Sequence, residues 1–324
     1  MSKTPVTPEV GEEKFKSKIG GQAVIEGVMM RGIDKASMAN RLPNGEIDLE
    51  IWPIRGGKNI PWYRKVPFVR GIFNFLVSMI DGYKCLMRAA DKQLDAEDDE
   101  EPSKLDKWLE EKLGDKIMPI MSVLSVVLGL GLAILLFMYL PSLVIKLLDK
   151  IVSIPTVLKN VIEGIIKISV FVGYTALTGR MKDMRRLYEY HGAEHKTIAC
   201  YEHEMELTVE NVQKQCRFHP RCGTSFIFLV LFISIFVNTV FRVTWGNVLL
   251  RVVYKIALIP VVTGIAYELI RLAGKYDNLA TRIISAPGLW IQRITTKEPK
   301  PDEIECAIAA LKAVIPEGGE LHGV

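Results

Sequence analysis

Two histidines and a glutamate near the middle of the chain have the types and the spacing of a metal site. His191 and His195 are four residues apart, and Glu194 lies between them in a segment of helix-forming composition. Four residues make slightly more than one helical turn, so the two imidazoles project from the same face, about 6 Å apart. The order His-x-x-Glu-His is that of a class of metallopeptidases in which the histidines bind zinc and the glutamate is the general base. The spacing therefore predicts a metal site with His191 and His195 as ligands and Glu194 as the catalytic base.

Further possible ligands follow in the same segment. Cys216, His219 and Cys222 form a Cys-x-x-His-x-x-Cys motif, and imidazole, thiolate and carboxylate groups are the usual zinc donors. Residues 191–222 contain four of the five histidines and three of the five cysteines of the chain. The cysteines are too few and too scattered for a disulfide framework. The preferred ligand set is His191, His195, His219 and Cys222 around a divalent metal, most simply zinc, with Cys216 as a further candidate.

Glu268, far along the chain, is an additional acidic candidate. It lies in the last of the long apolar segments described below. We expect the end of the segment near Glu268 to lie at the same membrane depth as the middle loop, residues 179–222, which contains His191 and His195. An ionisable side chain within a membrane span is a functional candidate by default, so Glu268 is either an alternative metal ligand or a group that orients one. A structural ion pair with Arg271 is the competing interpretation. Closed coordination by four ligands would make the metal structural, whereas catalysis needs an open position, and the sequence leaves that choice open.

The apolar residues of the chain are concentrated between positions 117 and 273. The 324 residues are 49% apolar and 24% charged, with a net charge of +4, which spread evenly would suit a soluble protein. A bilayer core about 30 Å thick is crossed by a helix of roughly 20 apolar residues, and segments of this kind exclude a wholly soluble, disordered or collagen-like chain. The expected spans are residues 117–140, ending at Pro141, 161–177, interrupted by Glu163 and Lys167, 226–241 and 252–273.

The distribution of basic residues predicts the orientation of these spans. The connections between spans one and two and between spans three and four carry few basic residues, and the start of the chain has no apolar region typical of a cleaved signal peptide. Positive charge is retained on the cytoplasmic side, so we expect a multi-pass cell-membrane protein whose termini and middle loop are cytoplasmic, with reduced cysteines. The middle loop holds eight basic residues: Arg180, Lys182, Arg185, Arg186, Lys196, Lys214, Arg217 and Arg221.

Outside the spans, the pattern predicts a small β unit and amphipathic helices. Strand-like segments flank Pro43-Asn44-Gly45, which is a good hairpin turn. The predicted fold class is a mainly α-helical integral membrane protein with four transmembrane helices and a small N-terminal β unit. The expected division is a disordered lead-in (1–18), a β unit (19–62), an interfacial amphipathic helix (63–94), an acidic linker with a short helix (95–116), a four-span membrane domain (117–273) containing the metal-site loop (179–222), and a cytoplasmic tail (274–324) with an amphipathic helix at 301–314.

The β unit begins with a glycine-rich motif, GGQAVIEGVMMRG at residues 20–32. Its glycines permit tight turns and a close approach to another surface. It is not a phosphate-binding loop, because it lacks the Gly-Lys-Ser/Thr ending. Glu26 and Arg31 are candidates to line a site formed with the middle loop, and the alternative is a hairpin that simply packs on the rest of the protein.

These motifs together resemble the YqhQ-like family of bacterial membrane proteins, which are of unknown function and labelled as predicted metal-dependent enzymes. The resemblance covers roughly residues 19–295. It implies a multi-span membrane protein with a metal site, and it brings no substrate or reaction. The motifs that carry it are residues 20–32, 190–196 (YHGAEHK), 219–226 (HPRCGTSF) and 267–274 (YELIRLAG).

Three functions remain open from the sequence. The first is a membrane-embedded metal-dependent hydrolase that acts on a peptide, or on a lipid or another ester near the membrane. The second is a non-catalytic scaffold in which zinc staples the middle loop and the basic face binds an acidic partner, such as ribosomal RNA or anionic lipid. The third is a transporter or metal-handling protein. The lipid bilayer is a partner in all three, and the sequence leaves the oligomeric state open.

Overall fold

The chain forms two compact units, each assembled from segments that are distant in sequence. The first unit comprises residues 1–93, 175–229 and 263–324, and the second comprises residues 94–174 and 230–262. The predicted acidic linker at 95–116 lies, apart from Gly114, outside the described residues. The computed structural model describes residues 15–54, 61–94, 114, 117–241, 245–276 and 278–316.

A four-stranded antiparallel sheet in the first unit confirms the predicted β unit. The strands are adjacent in the order of the chain, so that short turns join each strand to the next. The last turn contains Pro43-Asn44-Gly45, and Gly45 has a φ of 87°, a left-handed value that glycine adopts readily. The strands are β1 (Gly20–Val24), β2 (Gly27–Arg31), β3 (Lys35–Arg41) and β4 (Ile47–Pro53).

Helices cover both faces of this sheet. Successive side chains of a strand point to opposite faces, and accordingly Val28 and Met30 of β2 lie in one buried apolar cluster, while Met29 lies in another. The second cluster includes Cys85 and Ala89 of helix α1 (Val69–Leu94). Burial on both faces explains why β2 is continuously apolar, because neither face meets water.

The other face of the sheet packs on two helices that come from later parts of the chain. Helix α5 (Lys182–Glu202) contributes Tyr190 and Ala193 to the first cluster, and the C-terminal helix α10 (Pro301–Val314) contributes Ile304 and Leu311. The Ser37 hydroxyl of β3 donates to the carbonyl of Ala310, 2.7 Å away. The predicted helix at 301–314 is present with the same limits, and it belongs to the core of this unit.

Residues 15–18 differ from the prediction, whereas residues 1–14 of the predicted lead-in lie outside the described residues. We expected a disordered lead-in up to residue 18, but Ser17 is buried, and both its backbone N–H and its hydroxyl donate to the Glu202 carboxylate. A polar side chain is buried at low cost when its hydrogen bonds are satisfied. Residues 15–18 are therefore part of the fold, because Glu202 at the end of α5 binds them.

Within the described residues, four helices are long and apolar enough to cross a membrane, as predicted: residues Ile120–Ile151, Thr156–Thr178, Gly223–Val240 and Val248–Ala273. The first of these is built from α2 (Ile117–Ile134), a π-helical turn (Leu135–Tyr139) and α3 (Leu140–Ile151). The other three are α4 (Thr156–Thr178), α7 (Gly223–Val240) and α8 (Val248–Lys275), and a short helix α6 (Val209–Gln213) precedes α7.

Pro141 does not end the first span, contrary to our expectation. It lies in the first turn of α3, directly after the π-helical turn. Proline lacks an N–H and is tolerated where the helical hydrogen-bond pattern already changes, as it does at a π turn. The helix therefore continues past the proline to Ile151.

The second unit encloses a cluster of charged side chains. Arg251 Nη2 donates to Glu163 Oε2 at 2.7 Å and to Asn160 Oδ1 at 2.8 Å. The Lys255 ammonium forms an ion pair with Glu163 and donates to the Ser142 hydroxyl at 2.7 Å. All five side chains are buried, so the charges of Glu163, Arg251 and Lys255 are paired with each other inside the protein.

The C-terminal part of the first unit contains a helix that we did not predict. Helix α9 (Leu279–Thr295) begins with Asn278, whose side chain accepts the Thr281 N–H as an N-terminal cap. The expected tail at 274–324 had a single helix, at 301–314. The described part of this tail contains two helices, α9 and α10. Helix α9 contributes directly to the site described next.

Candidate metal centre

Helix α5 places the predicted histidine pair on one face. His191 and His195 are one turn apart, and their ring centroids are separated by 4.4 Å. Gly192, between them, lies against the chain after α9, because a Cβ at this position would be 2.0 Å from the carbonyl oxygen of Lys297. A glycine here lets the histidine-bearing turn approach that segment closely.

Cys222 completes a group of three possible ligands. His191 Nε2 lies 3.2 Å from Cys222 Sγ. The donor atoms of His191, His195 and Cys222 all lie within 4.8 Å of one another, and His195 and Cys222 are buried. Cys222 directly precedes α7, so its sulfur lies at the positive end of a long helix. The structure thus brings together residues that are 31 positions apart in the chain.

Both histidines are oriented by the backbone. His191 Nδ1 lies 2.8 Å from the carbonyl oxygen of Thr295, and His195 Nδ1 lies 2.6 Å from that of Arg217. Because a carbonyl oxygen can only accept, each Nδ1 carries the proton and donates it. In both rings Nε2 is then the nitrogen available to a metal.

The charges of the cluster favour a thiolate. Burial would raise the pKa of the Cys222 thiol, but the nearby His191 and His195 hold that pKa well below its usual value. Burial would correspondingly lower the pKa of His191, but the Cys222 sulfur raises it to about 9. Both shifts favour a shared proton between the imidazole and the sulfur, and a metal bound here would take the place of that proton.

Glu194, the predicted base, is buried beside the histidines and the sheet. Burial raises the pKa of its carboxyl group, although His191 and His195 act in the opposite direction. The backbone N–H of Gly21 donates to this carboxylate. A Cβ at Gly21 would lie only 2.8 Å from the Glu194 side chain. Oε2 of Glu194 has no hydrogen-bond partner in the part of the chain that the structure describes.

His219, the fourth member of the preferred ligand set, lies next to this group. Its ring centroid is 5.6 Å from that of His195, but its Nε2 is directed at Glu202, 3.6 Å from Oε2. Burial lowers the pKa of His219, while Glu202 opposes this change. Among the described residues, the three-ligand group therefore contains His191, His195 and Cys222 without His219.

Cys216 lies apart from these ligands. Its thiol is exposed, and its Sγ accepts a long contact from the Phe218 N–H at 3.5 Å. A metal ligand is normally held by its surroundings in a fixed position. The position of Cys216 thus gives it no part in the three-ligand group of the described residues.

Glu268 is bound elsewhere in the first unit. Its carboxylate accepts two hydrogen bonds from the Arg70 guanidinium, at 2.8 and 2.5 Å, and one from the Phe68 N–H at 3.0 Å. The expected structural partner was Arg271, and the observed partner is Arg70 of α1. This bidentate pair uses both carboxylate oxygens, which makes Glu268 a poor candidate for a metal ligand.

The two candidates of the glycine-rich motif have separate partners. Glu26, at the β1–β2 turn with a φ of 51°, forms an ion pair with Arg186 and accepts the Tyr190 hydroxyl at 3.3 Å. Arg31 forms an ion pair with Asp81 of α1 at 3.1 Å. The motif therefore contacts the metal-site helix through Glu26 and through Gly21, whereas Arg31 connects it to α1.

Sequence reasoning missed the residues that position the ligands. The carbonyls of Arg217 and Thr295 bear no side-chain signal, because any residue supplies a carbonyl. Gln292 of α9 fixes the His219 backbone by accepting its N–H at 2.8 Å and donating to its carbonyl at 2.7 Å. The only available signal was the Gly20-Gly21 pair, which indicates a close approach without identifying Glu194 as the group approached.

The fold and this cluster together define a membrane-spanning protein with a buried histidine–cysteine group in its sheet-containing unit. The chain belongs to the family described as "Protein of unknown function (DUF1385)", whose model matches residues 66–317. It is 34% identical over 309 residues to "Uncharacterized protein YqhQ" of Bacillus subtilis (strain 168), covering 94% of this chain and 95% of that protein. No solved structure matches the chain significantly. The family that the motifs indicated is thus confirmed, and its label as a metal-dependent enzyme stays a prediction.

Proposed function

We propose that this protein is a membrane-embedded, metal-dependent hydrolase that binds a divalent metal, most simply zinc, through His191, His195 and Cys222. The observation that carries the proposal is the orientation of the two imidazoles. Each Nδ1 donates to a backbone carbonyl, that of Thr295 or Arg217, so that Nε2 can bind a metal next to the Cys222 sulfur. Metal-binding histidines are typically held by such a bond from the second ring nitrogen.

The donor set suits zinc. Imidazole and thiolate are both usual zinc ligands, and three protein ligands leave the fourth tetrahedral position open, as in catalytic zinc sites. A pKa of Cys222 well below its usual value supplies the deprotonated sulfur that such a site requires. His219 and Glu268 are bound to Glu202 and Arg70, and this arrangement supports the three-ligand site over the closed four-ligand one.

Glu194 has the surroundings of a general base. The Gly21 N–H holds its carboxylate, while Oε2 is buried without a partner among the described residues. A raised pKa brings a carboxyl group nearer to neutral pH, where it exchanges protons most effectively. A bound zinc would supply Lewis-acid polarisation of the group to be cleaved. Glu194 would then accept a proton from the attacking water at Oε2 and return it to the leaving group.

The first test is the metal content of the purified protein in detergent, measured by elemental analysis. We expect about one zinc per chain, lost in His195→Ala and Cys222→Ser because each removes one of three ligands. His203→Ala is the matched control. His203 directly follows the same helix, and its Nδ1 contacts the Ala199 carbonyl of that helix. Wild-type protein that takes up no zinc, after chelator and phosphate are excluded, would remove the proposal.

The second test separates catalysis from a structural metal. Glu194→Gln should keep the zinc and lower hydrolysis by about 10²- to 10⁴-fold, the usual contribution of a general base. Fluorescent casein and a p-nitrophenyl ester in detergent micelles serve as probes for peptide and ester hydrolysis. If either substrate is cleaved equally fast by Glu194→Gln and wild type, Glu194 is not the base. If zinc is bound and neither substrate is cleaved by the wild type, the zinc-stapled scaffold becomes the working hypothesis.

We place this site on the cytoplasmic side of the cell membrane, because the connection that contains it carries more basic residues than either of the other two connections between spans. Cys216 provides a direct test, since it is exposed while the other four cysteines are buried. A membrane-impermeant maleimide should label the protein only after the cells are permeabilised, and Cys216→Ser should abolish the label. Labelling of intact cells at Cys216 would reverse the orientation.

The competing scaffold hypothesis requires a basic face that is open to an acidic partner. Within the described residues, Arg186 is paired with Glu303 as well as with the β1–β2 turn, and Lys196 and Arg217 are both paired with Glu298. A cation already neutralised by a carboxylate attracts a phosphate weakly. These ion pairs favour the hydrolase over a nucleic-acid or lipid-binding scaffold.

A further inference from the structure

Helix α9 exposes large apolar side chains along one face. The exposed fractions are 76% for Leu279, 62% for Ile283 and 72% for Trp290. Spacings of four and seven residues place these side chains on one side of an α-helix. A continuous apolar stripe of this kind is costly in water and marks a surface that another medium or molecule covers.

The opposite face of α9 holds the candidate metal centre. The carbonyl of Thr295 accepts from His191, and Gln292 binds both backbone groups of His219. Gly288 lies against Ser225 at the start of α7, where a Cβ would be 2.4 Å from the serine side chain. One face of the helix therefore orients the site, while the other is apolar and exposed.

The place of α9 in the chain puts it close to the membrane. The span of α8 ends at Ala273, and only three residues separate the end of α8 at Lys275 from the start of α9 at Leu279. Even a fully extended connection of this length reaches only about 15 Å. The exposed stripe therefore begins within that distance of the end of a membrane-spanning helix.

The composition of the exposed face is that of a helix lying in a lipid headgroup layer. Arg293 is exposed beside the apolar stripe, and such a cation suits lipid phosphates. Tryptophan is enriched at the boundary between acyl chains and water, because its ring is apolar and its N–H is polar. Trp290 lies on the exposed face of α9, where it could occupy such a boundary.

We infer that α9 lies in the plane of the membrane interface, with Leu279, Ile283 and Trp290 in contact with acyl chains. One face of the helix then contacts lipid, and the opposite face contacts the candidate metal ligands. The width of the helix, about 10–12 Å, sets the distance between the acyl chains and His191. In its second part this inference rests on the proposed function: the substrate class that a site at this depth meets is a membrane-bound peptide or an amphiphilic ester, rather than a freely soluble one.

The contact with lipid can be tested with the fluorescence of Trp290. The protein is reconstituted in vesicles of phosphatidylcholine and phosphatidylglycerol, with bromine placed near either the headgroup end or the methyl end of the acyl chains. Bromine near the headgroups should quench wild type more strongly than bromine near the methyl ends, and Trp290→Phe should lose most of this difference. Trp52→Phe is the matched control, because Trp52 packs against the second apolar cluster of the sheet.

Two results would overturn the inference. Quenching of Trp290 by acrylamide in water, with none by brominated lipid, would mean that the stripe faces solvent. Protection from both quenchers would mean that a protein surface, such as a second copy of the chain, covers it. Zinc is measured in the same samples, so that failure of the lipid contact and failure of the metal site are read separately.

Discussion

Gly21 determines how closely the sheet approaches the buried carboxylate of Glu194. A Cβ at Gly21 would lie 2.8 Å from Glu194, whereas a Cβ at Gly20 would meet nothing within 4 Å. Gly21→Ala should therefore lower the free energy of unfolding by about 1–3 kcal/mol, the usual cost of overpacking. It should also reduce zinc uptake by displacing Glu194 and the adjacent His195.

Gly20→Ala is the matched control for this prediction, because both glycines belong to β1 and share its backbone preferences. Thermal unfolding in detergent, followed together with zinc content, provides the comparison. Equal stability and equal zinc content in the two variants would show that Gly21 does not hold the carboxylate in place.

Glu303 should make the stability of the first unit depend on pH. Burial raises the pKa of its carboxyl group to about 7, with Glu189 acting in the same direction and the Lys300 N–H and Arg186 against it. The folded chain then keeps a proton that the unfolded chain loses above about 4.5, so stability should fall between pH 4.5 and 7 and level off above pH 7.

Glu303→Gln keeps the shape of the side chain and removes the titration. The midpoint of thermal unfolding, measured from pH 5 to 8, should fall more steeply in wild type than in Glu303→Gln over the range below about 7. Parallel curves for the two proteins would contradict the raised pKa. Glu202 does not contribute to this difference, because His219 and Arg221 outweigh burial and lower its pKa, so its effect on stability changes only below about pH 4.5.

At the residue scale, the candidate side chains could be predicted from the sequence, whereas the backbone groups that orient them could not. The spacing of His191 and His195 was sufficient, because a helix fixes which residues share a face. The sequence motif placed both His219 and Cys222 in the ligand set, and it could not separate them, because their positions depend on how the residues before α7 turn. Glu268 shows the same limit: its partner Arg70 is 198 positions away, and no local pattern indicates such a pair.

At the scale of elements, the charged cluster in the second unit depends on one carboxylate. Glu163→Gln would leave Arg251 and Lys255 buried without their counter-charge, which typically costs about 3–5 kcal/mol. Asp149→Asn is the control, since Asp149 pairs with Lys159 at 2.5 Å with a third of its side chain exposed. A pair that solvent reaches contributes much less to stability than a buried one.

Thermal unfolding of both variants in the same detergent measures this difference. We expect Glu163→Gln to unfold at a clearly lower temperature than Asp149→Asn. Similar midpoints for the two variants would mean that the Glu163 carboxylate does not stabilise the fold through Arg251 and Lys255.

The elements were predictable where one physical requirement dominates the sequence. A membrane span needs an uninterrupted apolar length, and this length located all four spans. Helix α9 was missed because it contains Pro287 and because its large apolar side chains Leu279, Ile283 and Trp290 are exposed and not part of the core. Its apolar side faces outwards, which is the reverse of the pattern expected of a helix on the surface of a soluble protein.

At the scale of the whole chain, the candidate site joins four distant segments. Gly21 comes from the sheet, His191 and His195 from α5, Cys222 from the start of α7 and the Thr295 carbonyl from the end of α9. A metal bound here would link α5 to Cys222, and both to the C-terminal region. Because the unfolded chain does not hold these groups together, binding of a metal should stabilise the folded state.

Zinc should therefore raise the unfolding temperature of the metal-stripped protein. At a free zinc concentration about 100 times the dissociation constant, the gain is about 2.7 kcal/mol, provided that the unfolded chain binds little zinc. His195→Ala should show no comparable shift, and His203→Ala should behave like the wild type. Titrating zinc during thermal unfolding also distinguishes a bound ion from general ionic strength, since magnesium at equal concentration should have little effect. Equal shifts for wild type and His195→Ala would mean that zinc acts elsewhere, and the hydrolase would then lose the metal centre on which it depends.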